Sequence, residues 1–171
     1  MIFKAVQRLP LDKAERGESI VDIGAYCLMS NHFHLLVREQ KEGGISKFLE
    51  KLSTAYSKFF NKKYERTGSL FEGRFRAAHV DSDEYLKYLF SYIHLNPVKL
   101  VDPKWKENGI KDKIKSKGHL DSYRYSSYQD YRGLNREEGL ILNRTVFPEY
   151  FNKPADFDDF IDEWLLFNKL R

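Results

Sequence analysis

The chain has 171 residues, 42% of them hydrophobic and 15% aromatic, with a formal net charge of +4. That length suits one domain able to bury its own core, and no apolar run is long enough to cross a bilayer. Residues 1–10 lack the apolar core of a secretory leader. The one cysteine, Cys27, excludes an internal disulfide, and its place in an apolar run suits a small core residue in a reducing cytoplasm rather than a thiol nucleophile.

The charge is unevenly spread. Residues 38–117 carry 18 Lys and Arg against 11 Asp and Glu, a net of +7, whereas residues 135–171 carry 5 against 8, a net of −3. A basic segment threaded with aromatics suits a phosphate backbone and stacked bases, although solvated helix faces also gather lysines.

In chain order, residues 1–17 give a short helical spacing, Phe3, Val6 and Leu9, stopped by Pro10. Residues 24–29 read as a strand, Met29-Ser30-Asn31 as a tight turn and residues 32–37 as the returning strand of a hairpin. Because strand residues alternate faces, His32 and His34 leave one face side by side and offer two neutral imidazoles to one ion. Phe33 is then expected to point to the core. Taken alone, an H-x-H pair of this kind is commonly surface histidine, so its meaning depends on the rest of the chain.

Gly43-Gly44 breaks the chain, and Ser46 is the expected cap of a helix over residues 47–64. Its apolar positions, among them Leu52, Tyr56 and Phe59, recur at three- and four-residue steps with Lys47, Lys51, Lys58, Lys62 and Lys63 behind them. Thr67-Gly68 ends that helix, and residues 77–80 alternate like another strand. Arg74 and Arg76 would share one face there, either as ordinary edge-strand arginines or set against phosphates.

Asp81-Ser82-Asp83-Glu84 opens a second helix, with a serine cap and an acidic first turn. It runs to residue 95 with almost no polar face, and Pro97 is expected to end it. Tyr92 and Asn96 stand one turn apart on one side, so a hydroxyl and an amide oxygen reach toward one point. Tyr88 lies on the same line, and spacing alone leaves the choice between the tyrosines open. His94 reads as structural or DNA-facing. Residues 102–118 read as an exposed lysine-rich loop, residues 123–131 as an aromatic stretch for core packing or base stacking, and Phe157, Phe160, Ile161 and Trp164 as part of an acidic terminal helix packing on the basic body. No nucleotide phosphate loop or serine-nucleophile elbow is present in the sequence.

Four stretches in order, Tyr26-Cys27-Leu28-Met29-Ser30-Asn31-His32-Phe33-His34, Gly68-Ser69-Leu70-Phe71-Glu72-Gly73-Arg74-Phe75, Tyr92-Ile93-His94-Leu95-Asn96-Pro97-Val98 and Tyr125-Ser126-Ser127-Tyr128, closely resemble the REP-associated tyrosine transposases of the HUH single-tyrosine superfamily. The resemblance implies an α+β domain with a ferredoxin-like or RRM-like core, an antiparallel sheet backed by helices, over residues 1–134. Residues 135–171 are expected to form a helical extension packed on it. Because family members begin with a strand and a helix before the hairpin, the sheet is expected to lack its first strand. That leaves an edge for a second copy in a homodimer.

It further implies that single-stranded DNA is cut and rejoined near hairpins through a 5′-phosphotyrosine. His32 and His34 become metal ligands, Asn96 a third ligand and Tyr92 the nucleophile, while Arg74, Arg76, Lys58, Lys62 and Lys63 are the expected DNA contacts. Three neutral ligands and substrate oxygens favour Mg²⁺ or Mn²⁺, whereas structural zinc wants a fourth protein ligand. The implied setting is the nucleoid in the cytoplasm. Two other readings are a hairpin DNA-binding protein that has lost cleavage, and a small oxygenase or cupin-like enzyme, which lacks the further histidine and acidic ligand it would need.

Overall fold

The computed structural model describes residues 17–166. The expected helical stub before residue 17 lies outside them. Strand β1, Val21–Leu28, and strand β2, Phe33–Glu39, pair antiparallel as the expected hairpin, closed by Met29 N–H donating to His32 O at 2.8 Å. Among the described residues these two strands are the whole sheet. The free side of β1 is met by other parts of the chain: Leu28 N–H donates to Tyr125 O, Ser127 N–H to Tyr26 O and Asn143 N–H to Ile23 O.

The register pairs Ala25 with Leu36 and Cys27 with His34, so these four share a face. Ala25, Cys27 and Leu36 lie in the main core. The expectation for Phe33 is therefore reversed: alternation holds, but the core lies on His34's side, and Phe33 packs on the other side against Phe71, ring centroids 6.4 Å apart. A bulge between Ile23 and Ala25 re-aims the strand at Gly24. A Cβ there would come within 2.8 Å of the Phe147 ring, so any larger residue would have to displace that ring.

Helix α1, Gly44–Lys63, starts earlier than its sequence suggests. Gly43, at φ 72°, is the N-cap and the Glu39 carboxylate accepts from Ile45 N–H at 3.0 Å, so Ser46 is not the cap. The glycine pair lets the helix leave β2 almost directly. Its apolar side is only partly covered: Leu52, Tyr56 and Phe59 are 40%, 48% and 57% exposed. The expected strand at residues 77–80 does not form. That stretch is irregular and mostly exposed, since no neighbouring strand offers it a ladder.

Helix α2, Asp83–Leu95, forms as read, with Ser82 Oγ accepting from Tyr85 N–H at 3.2 Å. The helix ends at Leu95, ahead of Pro97 as expected, with Asn96 as its C-cap. Asn96 keeps a right-handed conformation, φ −54° and ψ −37°, and a 3₁₀ turn over Asn96–Leu100 follows. Pro97 falls in the first turn of that element, where its missing N–H costs nothing. The expected loop at residues 102–118 contains helix α3, Trp105–Asn108, and most of helix α4, Lys113–Ser122. Trp105, 3% exposed, pins the first, and Asp112 caps the second by accepting from Lys115 N–H at 2.9 Å.

Helix α5, Tyr128–Tyr131, and helix α6, Pro154–Leu166, complete the α+β body. Phe90 and Ile93 of α2, Tyr128 of α5, and Phe157 and Ile161 of α6 join the sheet residues in one core cluster. Lys117 to Asp162 and Arg132 to Asp158 pair α6 with the basic body at 2.5 and 2.8 Å.

Candidate active site

The site is built where α2 crosses the face of the hairpin that carries His34. His32 lies exposed at the end of the turn and His34 half-buried in β2, their rings perpendicular at 88° with centroids 4.9 Å apart. Asn31 Oδ1 lies 2.7 Å from His32 Nδ1. An amide oxygen only accepts, so His32 Nδ1 donates, and in the neutral ring Nε2 is the nitrogen left with a lone pair. Asn31, which reads from sequence only as a turn residue, is thus the orienting partner of the first histidine.

His34 Nε2 is buried and has no hydrogen-bond partner. Burial, then the neighbouring His32 and Lys106, push its pKa down to about 4. The ring is therefore neutral at physiological pH, and an unpartnered buried nitrogen is the kind of donor a metal ion satisfies. Among the described residues no three His, Cys, Asp or Glu side chains come together, so an ion here would rest on the two imidazoles and on oxygens from outside the chain. The donor set fits a divalent ion that keeps open positions for substrate oxygens.

Tyr92, half-buried, meets His34 edge to face, centroids 5.4 Å apart at 89°. Tyr88 packs instead between Tyr85, Tyr92 and Trp164, its centroid 6.1, 5.8 and 5.9 Å from theirs. Burial raises the Tyr88 hydroxyl above its ordinary pKa. Of the tyrosines on this helix, Tyr92 stands beside the histidine pair.

Asn96 is 2% exposed, and its side-chain Nδ2 donates to Tyr92 O at 2.7 Å. Its Oδ1 accepts from Lys106 Nζ at 3.4 Å. The same ammonium lies 4.0 Å from the centroid of the Tyr92 ring and 5.5 Å from that of Trp105. Nothing in the motifs points to Lys106; the only cue is the large aromatic just before it, able to anchor a short helix beside the core.

Lys58, Lys62 and Lys63 lie exposed on α1, and Arg74 and Arg76 lie exposed in the irregular segment that follows. Lys63 rests over the rings of Phe59 and Tyr64. The three lysines belong to α1, on the side of the hairpin that carries Phe33 and Phe71, whereas His34 and Tyr92 belong to the α2 side.

His94 is structural, which resolves one of its two readings. It is fully buried, with Nδ1 2.8 Å from Phe90 O and Nε2 2.7 Å from Ser127 Oγ. A carbonyl only accepts, so Nδ1 donates and Nε2 takes the serine proton. Burial lowers its pKa to about 3, opposed by the bond to Phe90. The aromatic stretch at residues 123–131 divides: Tyr128 and Tyr131 pack in the core, and Tyr125 is 55% exposed.

Residues 13–96 match the family model described as Transposase IS200 like. No curated protein and no solved structure matches the chain. The matched span takes in the hairpin with His32 and His34, helices α1 and α2, and Tyr92, and it closes on Asn96. On that match, the segment that carries the histidine pair and Tyr92 is similar to the IS200-like transposases.

Proposed function

We propose that the protein cuts and rejoins single-stranded DNA near hairpins, through a 5′-phosphotyrosine on Tyr92 and with Mg²⁺ or Mn²⁺ at His32 and His34. The observation that carries this reading is the edge-to-face approach of Tyr92 to His34, a half-buried tyrosine beside a neutral imidazole whose Nε2 has no partner. An ordinary phenol is protonated at neutral pH and attacks phosphorus only with help. A divalent ion held by His32 and His34 would supply charge that polarises the scissile phosphate.

The chain's own part is positional. Helix α2 holds Tyr92 against the hairpin, and its Oη attacks the phosphorus, losing its proton to solvent. The bond between phosphorus and the 3′ oxygen breaks, and that oxygen leaves as a 3′-hydroxyl. The phosphodiester energy stays in the enzyme–DNA link, so attack by a 3′-hydroxyl rejoins strands and restores the tyrosine. Lys58, Lys62, Lys63, Arg74 and Arg76 are the proposed phosphate contacts, which makes binding fall with added salt and the salt slope shrink as they are replaced.

A second reading, a hairpin DNA-binding protein without cleavage, is favoured by one observation: Lys106 Nζ already occupies the Asn96 oxygen that would serve as third ligand. The two readings separate in one assay. Single-stranded hairpin DNA labelled at either end is incubated with Mn²⁺ or Mg²⁺ and the products are resolved under denaturing conditions. A metal-dependent protein–DNA adduct lost in Tyr92→Phe supports strand transfer. Hairpin binding without adduct from the native chain supports the second reading.

A further inference from the structure

We infer that Lys106 is a positioning residue for Tyr92, its ammonium held over the ring to offset the negative charge that gathers on the phenol oxygen as it loses its proton. The inference rests on the reading of Tyr92 as the nucleophile. It starts from where Lys106 is held. Trp105 is buried at the start of α3, and Trp105 N–H donates to Asp102 O at 3.2 Å, so the short helix is tied to the turn that follows Asn96. Lys106, the next residue, is half-buried rather than free in solvent.

Its surroundings are unusual for a lysine. The ammonium has the Asn96 amide oxygen at 3.4 Å, the Tyr92 ring face at 4.0 Å and the Trp105 ring at 5.5 Å. Among the described residues no carboxylate forms an ion pair with it. A half-buried cation satisfied only by a neutral amide and two ring faces keeps its charge available to a newly formed anion. The anion at hand is the oxygen of the ring it covers, followed by the phosphoryl group attached there.

The step balances without a proton from Lys106. Tyr92 Oη loses its proton to solvent and bonds to phosphorus, the bond to the 3′ oxygen breaks, and that oxygen takes up a proton. Lys106 stays an ammonium throughout and acts through the ring and through Asn96. Its contact with Asn96 also fixes which way that amide faces, since Nδ2 donates to Tyr92 O while Oδ1 accepts from Lys106. Lysine, tyrosine and asparagine thus lock one another.

The test compares the native chain with Lys106→Met and Lys106→Arg for rate of covalent adduct formation on hairpin DNA with Mn²⁺, affinity for the same DNA, and thermal midpoint. Lys106→Met is expected to slow adduct formation about tenfold, the scale of one cation–ring interaction. Its DNA affinity should stay at the native value, its midpoint should fall slightly as the Asn96 oxygen loses its partner, and Lys106→Arg should recover most of the rate. An unchanged or faster rate in Lys106→Met would overturn the inference and mark the lysine as an obstruction of the Asn96 oxygen. Failure of Lys106→Arg to recover the rate would reduce it to a packing residue, and a fall in DNA affinity matching the loss of rate would make it a phosphate contact. Absence of an adduct from the native chain, with every DNA and either metal, would overturn the strand-transfer reading and this role together.

Discussion

The rings of His34 and Tyr92 stand perpendicular, with centroids 5.4 Å apart, within one chain. The two residues come from β2 and from the last turns of α2, and they meet because α2 lays its apolar side on the hairpin face that carries Ala25, Cys27 and Leu36. Histidine pair and tyrosine therefore meet within a single chain. Mixing Tyr92→Phe with His34→Ala should yield no more adduct than either variant alone, measured on denaturing gels after preincubation. Recovery of activity in the mixture would mean that copies exchange α2.

The bond between Asn31 Oδ1 and His32 Nδ1, at 2.7 Å, leads to a second prediction. It fixes the ring so that Nε2 would be the atom offered to an ion, and outer partners of ligating histidines are commonly worth about tenfold to a hundredfold in metal affinity. Asn31→Ala should weaken Mn²⁺ binding by about tenfold in calorimetry, with the circular dichroism spectrum unchanged. Affinity equal to the native chain would show that the turn alone orients the ring.

How far the sequence carries can be judged from these same residues. The hairpin, α1, α2 and α6 are legible because each repeats apolar residues at the period of its own secondary structure, and the histidine pair is legible because two residues two apart must share a face. What sequence does not give is which face is inside. Phe33 looks like the core residue and His34 the surface one, yet α2 settles on His34's side and α1 on the other. Local patterning is also silent on partners supplied from far along the chain. Residues 77–80 alternate correctly but find no ladder, and Lys106 lies among lysines with nothing to single it out until Trp105 anchors it.

The buried His94 predicts an acid-side loss of stability. Its pKa in the folded protein is about 3, against an ordinary value of 6.5. Between these values the unfolded chain takes up a proton that the folded chain refuses, so stability rises with pH across that window. The contribution is complete above pH 6.5, declines as pH falls and levels off near pH 3. His34, lowered to about 4, acts in the same sense. Urea midpoints at pH 7.5, 5.5 and 4.5 should decline for the native chain and less steeply for His94→Gln. Parallel slopes in the two proteins would place the acid sensitivity elsewhere.

Arg136 carries the last prediction, because it closes the core from beyond the transposase-like span. Its side chain is 11% exposed and pairs with Asp130, 2% exposed, at 2.5 Å. The guanidinium also donates to Tyr26 Oη at 2.9 Å, to Arg124 O at 2.6 Å and to Ser126 O, so it fastens β1 to the segment that leads into α5. Removing one partner of a buried pair leaves the other as an uncompensated charge, which costs about 3–5 kcal/mol. Arg136→Ala should therefore lose a large part of the folding free energy in urea titration, and Arg136→Ala with Asp130→Asn should recover some of it. Lys87→Ala, which removes a half-exposed pair with Asp83 on the surface of α2, should leave the midpoint close to native. Equal losses in Arg136→Ala and Lys87→Ala would mean that the Asp130 carboxylate finds water once the arginine is gone, and that β1 is held to α5 by its backbone bonds alone.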